Sequence, residues 1–542
     1  MYRKVAVIPV LLLILSIGFT SCASRGLTDG RTSETAELSV DTDGKAIPKE
    51  TLLASATEPQ VVTIAGVDNW YSPASYESGL PLLKDIEEKM NINIKWITAP
   101  WDQYFIMIQT KLAAGVNLPD ILRVPNSDPT SYGQAGLLLP LEELIRDNAP
   151  NIKDVFKKYP EAKKMMYSGD GHIYGLTPIT RESSAVMPPY WVIRKDWLDK
   201  LELEVPQTLD SLYNVLQAFK ENDPNRNGKP DEIPWGGDPE AFAEAFGLHL
   251  TFSESLGGFS SDGGKVIYQY TDPRYKEYLA FVNRLYSEGL MDRDYGSPNA
   301  GEAGSQVTRN LVGVMQNWPD LTSAWAKILR SSGDPDAHYI PFTPPAGPNG
   351  ERSIESYGPI DDGFHSISKD CEDPILAIKL LDYLWSSEGS RYMAWGIEGK
   401  SYTIVDGKPQ FTDYVLDNPD GLGASDALRK LGAWPTIPWV QQEDTYRQIL
   451  SSDPDFNNCW DIIKPYLVEP FPKLLATKEQ NDILMPLYTD ISTYVKEMQI
   501  KFIIGKEPLA DFDKYVQKVR EMGLDEVLKI KQSQYDDFLN RK

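Results

Sequence analysis

From Val61 onward the apolar positions fall into short runs whose period switches between two and about 3.6. Val61–Ala65 is a nearly continuous apolar run of strand length. Ile92, Ile94 and Trp96 alternate with Asn93 and Lys95, and Pro119–Val124 is a third extended run. Between them, Leu83, Ile86 and Met90 share one helical face, and Tyr104–Ala114 reads as a helix stopped by Gly115. This β-α-β-α-β order predicts a parallel sheet with right-handed crossovers. Ligands of such sheets sit beyond the carboxyl ends of the strands. The segments to watch are therefore 66–71, 99–101 and 125–128.

The pattern continues in mixed form. A short helix is expected over Asp196–Leu201. A second begins at Thr208, a capping residue, and runs to about Glu221 with Leu209, Leu212, Leu216 and Phe219 on one face. A hairpin is expected at 263–268 and a helix at 274–288, with Tyr278, Phe281, Val282 and Leu285 inward. The run 310–316 reads as a strand ending at Trp318-Pro319, and the residues after Thr489 as helices broken at Gly505 and Gly523.

One polar run changes the picture. Residues 223–232 are Asp-Pro-Asn-Arg-Asn-Gly-Lys-Pro-Asp-Glu. Asp223, Asn225 and Asn227 put oxygens at alternate positions, and Gly228 sits sixth, where a calcium loop turns sharply. The twelfth position is Pro234 rather than Glu, so the second half departs from an EF-hand. A shortened loop is the reading, with the Lys229 carbonyl and the Asp231 and Glu232 carboxylates completing the oxygen set around a structural Ca2+. A metal-free polar turn is the competing one.

The N-terminus looks like a secretion signal. Arg3 and Lys4 precede the apolar stretch Val5–Gly18, which is too short for a membrane span, and Phe19-Thr20-Ser21-Cys22 follows. A small residue before Cys has the shape of a lipoprotein box, with Phe19 where Leu is usual. Residues 1–21 are then the signal peptide and Cys22 the lipidated first residue. Residues 22–59, poor in large apolar groups, form a flexible tether. Ordinary cleavage to a free secreted protein is the alternative.

Roughly 480 residues remain, more than one simple core holds. The net charge of −24 becomes −26 without Arg3 and Lys4, which argues against nucleic acid or anionic lipid as partner. Of the cysteines only Cys371 and Cys459 are left, too few for a disulfide framework, and whether they pair stays open.

Arg194-Lys-Asp-Trp-Leu-Asp-Lys-Leu201, Val205-Pro-Gln-Thr-Leu209 and the 223–232 loop running into Ile233-Pro234 resemble the lipoprotein-type solute-binding proteins of ABC sugar importers, the subgroup that includes alginate-binding proteins. Tyr275-Lys276, Leu285–Leu290, Gly396–Tyr402 and Phe502–Gly505 agree. The resemblance runs from about Val61 to the C-terminus. It implies an α/β, two-lobed periplasmic-binding-protein-like fold with discontinuous lobes around a hinge and cleft. We place the lobes at 60–180 plus 310–370 and at 181–309 plus 371–542. It also implies a calcium role for Asp223, Asn225, Asn227, Lys229, Asp231 and Glu232. The implied partners are an oligosaccharide and ABC permease subunits. The implied form is a monomer lipid-anchored on the outer face of the cell membrane, or on its periplasmic side in a Gram-negative cell.

Sugar sites combine aromatic platforms with a few placed polar groups. The chain has 13 Trp and 28 Tyr. Loop or turn positions single out Trp70, Tyr71, Trp101, Tyr190, Trp235, Trp318, Trp395 and Tyr402, with Asn126, Arg181 and Glu398 as polar candidates. Trp70, Trp101 and Trp318 stand at predicted strand ends. The four His are scattered, and the sequence has no G-x-S-x-G, H-E-x-x-H or P-loop. A non-enzymatic binder is expected. A carboxylate pair of a glycoside hydrolase, or a glycan adhesin, stays as the alternative.

Overall fold

The computed structural model describes residues 58–124, 129–180, 188–250, 257–296, 303–356, 358–360, 363–441 and 445–541. The signal, Cys22, the tether, Asn126 and Arg181 lie outside them. Two four-stranded sheets organise the chain. In the first, Gln60–Val67 lies centrally, parallel to Ile92–Ala99 on one side and to Ile121–Arg123 on the other, and His365–Ile367 adds an antiparallel edge beside Ile121–Arg123. Gln60–Val67 carries the buried residues a central strand needs: Val62, Ile64, Ala65 and Val67. The intervening helices Pro81–Met90 and Trp101–Ala114 each end on a left-handed residue, Asn91 and Gly115.

The second sheet runs Ile233–Trp235, Val312–Asn317, Tyr190–Arg194, Tyr339–Pro341. Its central pair, Val312–Asn317 and Tyr190–Arg194, is antiparallel, and Ile233–Trp235 is parallel to Val312–Asn317. Helix Leu209–Glu221 begins with a reciprocal cap: the Ser211 amide donates to Thr208 Oγ1 at 3.1 Å, and the Thr208 amide to Ser211 Oγ at 2.9 Å. The C-terminal part forms helices Lys478–Ile503, Phe512–Glu521 and Leu524–Asn540, broken near Gly505 and Gly523 as expected.

Sheet membership differs from the sequence reading. Val312–Asn317 and Tyr339–Pro341 pair with Tyr190–Arg194 and so belong to the second sheet, although 310–370 was assigned to the first lobe. Conversely, helix Pro374–Trp385 packs in the first core, where Trp385 meets Phe156 edge-on at 5.7 Å, although 371–542 was assigned to the second. Long-range pairing decides these assignments, and a local period carries no trace of it.

Each sheet has its own apolar core, and a third cluster backs the second sheet. The chain passes between cores after Thr180, around Ile354–Glu355, after Val440 and around Leu467–Val468. Two of these passages pair with each other as parallel strands, Ile354 opposite Leu467 and Glu355 opposite Val468. Cys371 and Cys459 are both free thiols, one in each half, so they do not pair.

Candidate functional site

The first sheet delivers its three parallel strands to one crown. Trp70 lies in the loop after Gln60–Val67, and Trp101 opens the helix after Ile92–Ala99. Their rings stack with centroids 5.4 Å apart and planes at 27°. Trp70 is 51% exposed, so one face of the stacked pair is open to solvent. Beneath the pair, the Arg123 guanidinium stands 4.8 Å from the centre of the Trp101 ring, and Phe105 meets that ring edge-on at 5.0 Å. The Trp70 loop is fixed from within. Asp68 Oδ1 accepts the Tyr76 amide at 3.0 Å, and Asn69 Nδ2 donates to the Arg429 carbonyl at 3.0 Å. Tyr71 is half-buried against the first core.

The segment 429–440 walls this crown. Thr436 Oγ1 donates to the Val67 carbonyl at 2.7 Å, and the Thr436 amide to Tyr76 Oη at 2.8 Å. Within it, Trp434 has φ 51°, a left-handed backbone that a bulky residue adopts only when its surroundings enforce it. Its amide and its indole N–H donate to the Met393 and Ala394 carbonyls at 2.8 and 2.9 Å. Its ring lies on Tyr446 of the other half, centroids 5.2 Å apart and planes at 14°. The Tyr446 hydroxyl donates to Asp320 at 2.8 Å, and Ser425 Oγ donates to the same carboxylate. Trp434 and Arg123 were missed by the sequence reading. Trp434 shares the Trp-Pro signal of Trp318-Pro319, which could have flagged it.

The second sheet contributes the end of Val312–Asn317. Four buried residues are followed by half-exposed Gln316 and Asn317, then by Trp318, which precedes helix Pro319–Ser332. Gln316 Nε2 donates to Glu244 at 2.9 Å, and the Glu355 amide on the crossing strand donates to the other Glu244 oxygen at 3.2 Å. Burial pushes the Glu244 carboxyl up to about 8 and that of Glu355 up to about 7.

Other aromatic candidates belong to the interior. Trp235 closes its strand, fully buried between Trp191 and Phe242 at 5.0 and 4.4 Å. Tyr190 is buried in its strand, and Trp395 and Tyr402 are buried together, with Phe411 4.4 Å from Trp395. Glu398 is exposed in the turn that pairs back to Tyr402 and joins no other candidate. A cavity of about 620 Å³ on the second half is lined by Asp196, Lys200, Arg330, His338 and Asp455 and by none of these aromatics.

The 223–232 loop is closed on itself. Asp223 accepts the amides of Asn227 and Gly228 at 3.1 and 3.0 Å, and Asn227 Oδ1 accepts that of Lys229 at 2.8 Å. Positive φ at Asp223, Arg226 and Gly228 makes the turn. Both carboxylate oxygens of Glu232 are buried without a hydrogen-bond partner. Burial, together with the charges of Asp223 and Asp231, raises its carboxyl. Among the described residues no three His, Cys, Asp or Glu side chains converge as a metal cluster. The loop's donors, however, include two Asn amide oxygens and a main-chain carbonyl, which such a grouping leaves out. An orphaned, buried carboxylate beside two others is what a hard cation would satisfy, so the residues fit Ca2+. Asn225 Nδ2 reaches the Asn310 carbonyl at 3.1 Å, and Asn310 belongs to the buried Arg194–Asp196–Asp334 network beneath the second sheet.

Residues 74–390 match the family model of the bacterial extracellular solute-binding proteins. The chain belongs to that family. Among curated relatives, the fructooligosaccharide ABC transporter substrate-binding protein FusA of Streptococcus pneumoniae is 26% identical over 501 residues, covering 85% of this chain and 87% of that protein. Lipoprotein LipO of Bacillus subtilis is 24% identical over 478 residues, covering 84% and 89%. The polygalacturonan/rhamnogalacturonan-binding protein YtcQ of B. subtilis is 24% identical over 463 residues, covering 81% and 85%. Among solved structures, the alginate-binding protein AlgQ2 without calcium ion superposes with TM-score 0.74 at 27% identity, covering 89% of this chain and 99% of that one. An EF-hand mutant of FusA with fructo-nystose gives TM-score 0.73 at 22% identity, covering 89% and 100%. This family member thus has the two-lobed α/β fold of solute-binding proteins, and no helix among its described residues is long and apolar enough to cross a membrane.

Proposed function

We propose that this solute-binding protein captures an oligosaccharide between its two halves and hands it to the permease of an ABC importer. The observation that carries this is the half-exposed Trp70 stacked on Trp101 at the carboxyl ends of the three parallel strands. Such a surface suits the C–H face of a sugar ring. Tyr71, Trp318 and Trp434 extend the aromatic lining, and Gln316 and Asn317 supply polar groups for hydroxyls. FusA and YtcQ, both carbohydrate-binding by description, support the ligand class. A ligand touching both halves favours the conformation in which both sets of contacts exist, so binding closes the cleft.

In this reading Asp223, Asn225, Asn227, Lys229, Asp231 and Glu232 hold a structural Ca2+, and Cys22 carries a lipid anchor. The calcium-free AlgQ2 structure and the FusA EF-hand mutant support the first, and the LipO lipoprotein the second. Calorimetry against a panel of neutral and uronic-acid oligosaccharides tests the function. A hit should reduce the radius of gyration in small-angle scattering. Absence of binding across the panel, or turnover of a hit by the pure protein, would overturn the reading.

A further inference from the structure

The last two residues of Val312–Asn317 are half-exposed side-chain amides that are held differently. Asn317 Nδ2 donates to Thr322 Oγ1 at 3.0 Å, and that hydroxyl gives its own proton to the Trp318 carbonyl at 2.9 Å. A hydroxyl so committed can only accept, which locks Asn317 with its carbonyl oxygen outward. Gln316 leans instead on a carboxyl. One Glu244 oxygen is occupied by the Glu355 amide, and the other faces Gln316 at 2.9 Å.

A carboxylate accepts only, so ionised Glu244 holds the Gln316 NH2 inward and leaves its carbonyl oxygen outward. When Glu244 is protonated, the oxygen not bonded to the Glu355 amide carries the proton and donates to the Gln316 carbonyl oxygen, and the amide turns over to put NH2 outward. We propose that Glu244 is a positioning residue that decides, by its proton, whether Gln316 offers the bound ligand an acceptor or a donor. The acceptor suits sugar hydroxyls, and the donor suits the carboxylate of a uronic acid. The proposal rests on the reading that the ligand lies between the two halves.

The surroundings of Glu244 hold it near balance. Glu355 faces it from the crossing strand, and the Trp191 indole lies beside it from the second sheet. Ser353 donates to the Glu244 carbonyl at 3.2 Å, and His249 approaches that same hydroxyl at 3.5 Å. Glu240, on the same helix, faces Gln499 at 3.0 Å. Arg274 acts on His249 and not on Glu244, and among the described residues no Lys or Arg forms an ion pair with Glu244. Burial above all, with Glu355 adding repulsion, raises its carboxyl to about 8, so both protonation states are populated around neutral to mildly alkaline pH.

The test is a pH titration of the full mature chain labelled with 15N only in glutamine, the Gln316 side-chain amide being assigned with Gln316→Met. The expected result is a step in that resonance with a midpoint near 8, absent in Glu244→Gln, whose own NH2 locks Gln316 in the donor-outward state. No step, or the same step in Glu244→Gln, overturns the proposal. In parallel, the affinity for trigalacturonate should fall relative to kestose as pH rises through that step. A drop of about tenfold is expected, the size of one charge-assisted hydrogen bond. An equal pH response of the two sugars overturns the ligand part. Should neither sugar bind, the amide titration alone decides the switch. Should Glu244→Gln not fold, Gln316→Met must abolish the difference between the sugars.

Discussion

If the 223–232 loop holds calcium as proposed, removing the ion is the sharpest perturbation this protein offers. The loop concentrates three carboxylates, Asp223, Asp231 and Glu232, and buries both oxygens of the last without a partner. An unsatisfied buried group costs about 1–3 kcal/mol, more when charged. A cation held only by the folded state at a hundredfold excess over its Kd adds about 2.7 kcal/mol. If the second half melts as a unit of 150–250 residues, that is about 2–4 °C per kcal/mol, or roughly 5–10 °C in Tm. The route from loop to sheet is short: Asn225 holds Asn310, and Asn310 joins Asp334 and Arg194 under the strands. The loss should therefore appear in the second half's transition. Differential scanning calorimetry with excess chelator, and then with calcium restored, reads it directly. Asp223→Ala with Asp231→Ala should abolish the response yet keep sugar binding. An unchanged Tm in chelator, with no metal by elemental analysis, would refute the reasoning.

Trp70→Ala should weaken sugar binding by about 1–3 kcal/mol with little change in Tm, because the ring is half in solvent already, whereas Trp235→Ala should cost about 3–5 kcal/mol of stability as a core truncation. Calorimetric titration and thermal melts separate the two, and the reverse pattern would count against the assignment of platform and core. Glu244 holds its proton more tightly folded than unfolded, so it favours folding fully below its ordinary value of 4.5. That contribution is lost as pH rises to about 8, by on the order of 5 kcal/mol in total. Denaturant melts of Glu244→Gln should accordingly show a flatter stability profile over that interval, and an unchanged slope would contradict the assignment. Cys22→Ser should release the protein from the membrane fraction, and retention there would point to another anchor.

The elements that read clearly from the sequence are those fixed by local chemistry. The alternation around Ile92–Trp96, the Thr208 cap and the glycine breaks at Gly505 and Gly523 all stand in the fold, because period, capping and left-handed turns act within a few residues. Four aromatic candidates lie in the interior for a related reason. Tyr190 opens one strand and Trp235 closes another, and Trp395 and Tyr402 pack on each other, so flanking glycine or proline suggested exposure that the sheet and core removed. What could not be read is distance. Trp434 reaches the crown only because Thr436 binds Val67 and Tyr76, more than 350 positions earlier in the chain. The pairing of Gln316 with Glu244 likewise depends on a helix and a strand that meet only in the finished sheet.

The edge strand His365–Ile367 has a consequence for how this protein is born. The second sheet takes all its strands from one uninterrupted stretch, Tyr190 to Pro341, while the first must wait for His365–Ile367 to cover Ile121–Arg123. As the chain emerges N-terminus first, the second sheet can be complete while the first still shows an unpaired strand edge at Ile121–Arg123, a ready template for another chain. The hazardous interval in biogenesis thus spans the time between the appearance of residue 123 and that of residue 367. Crowding, slow export or a stalled chain during that window should drive aggregation far more than the same stress applied afterwards.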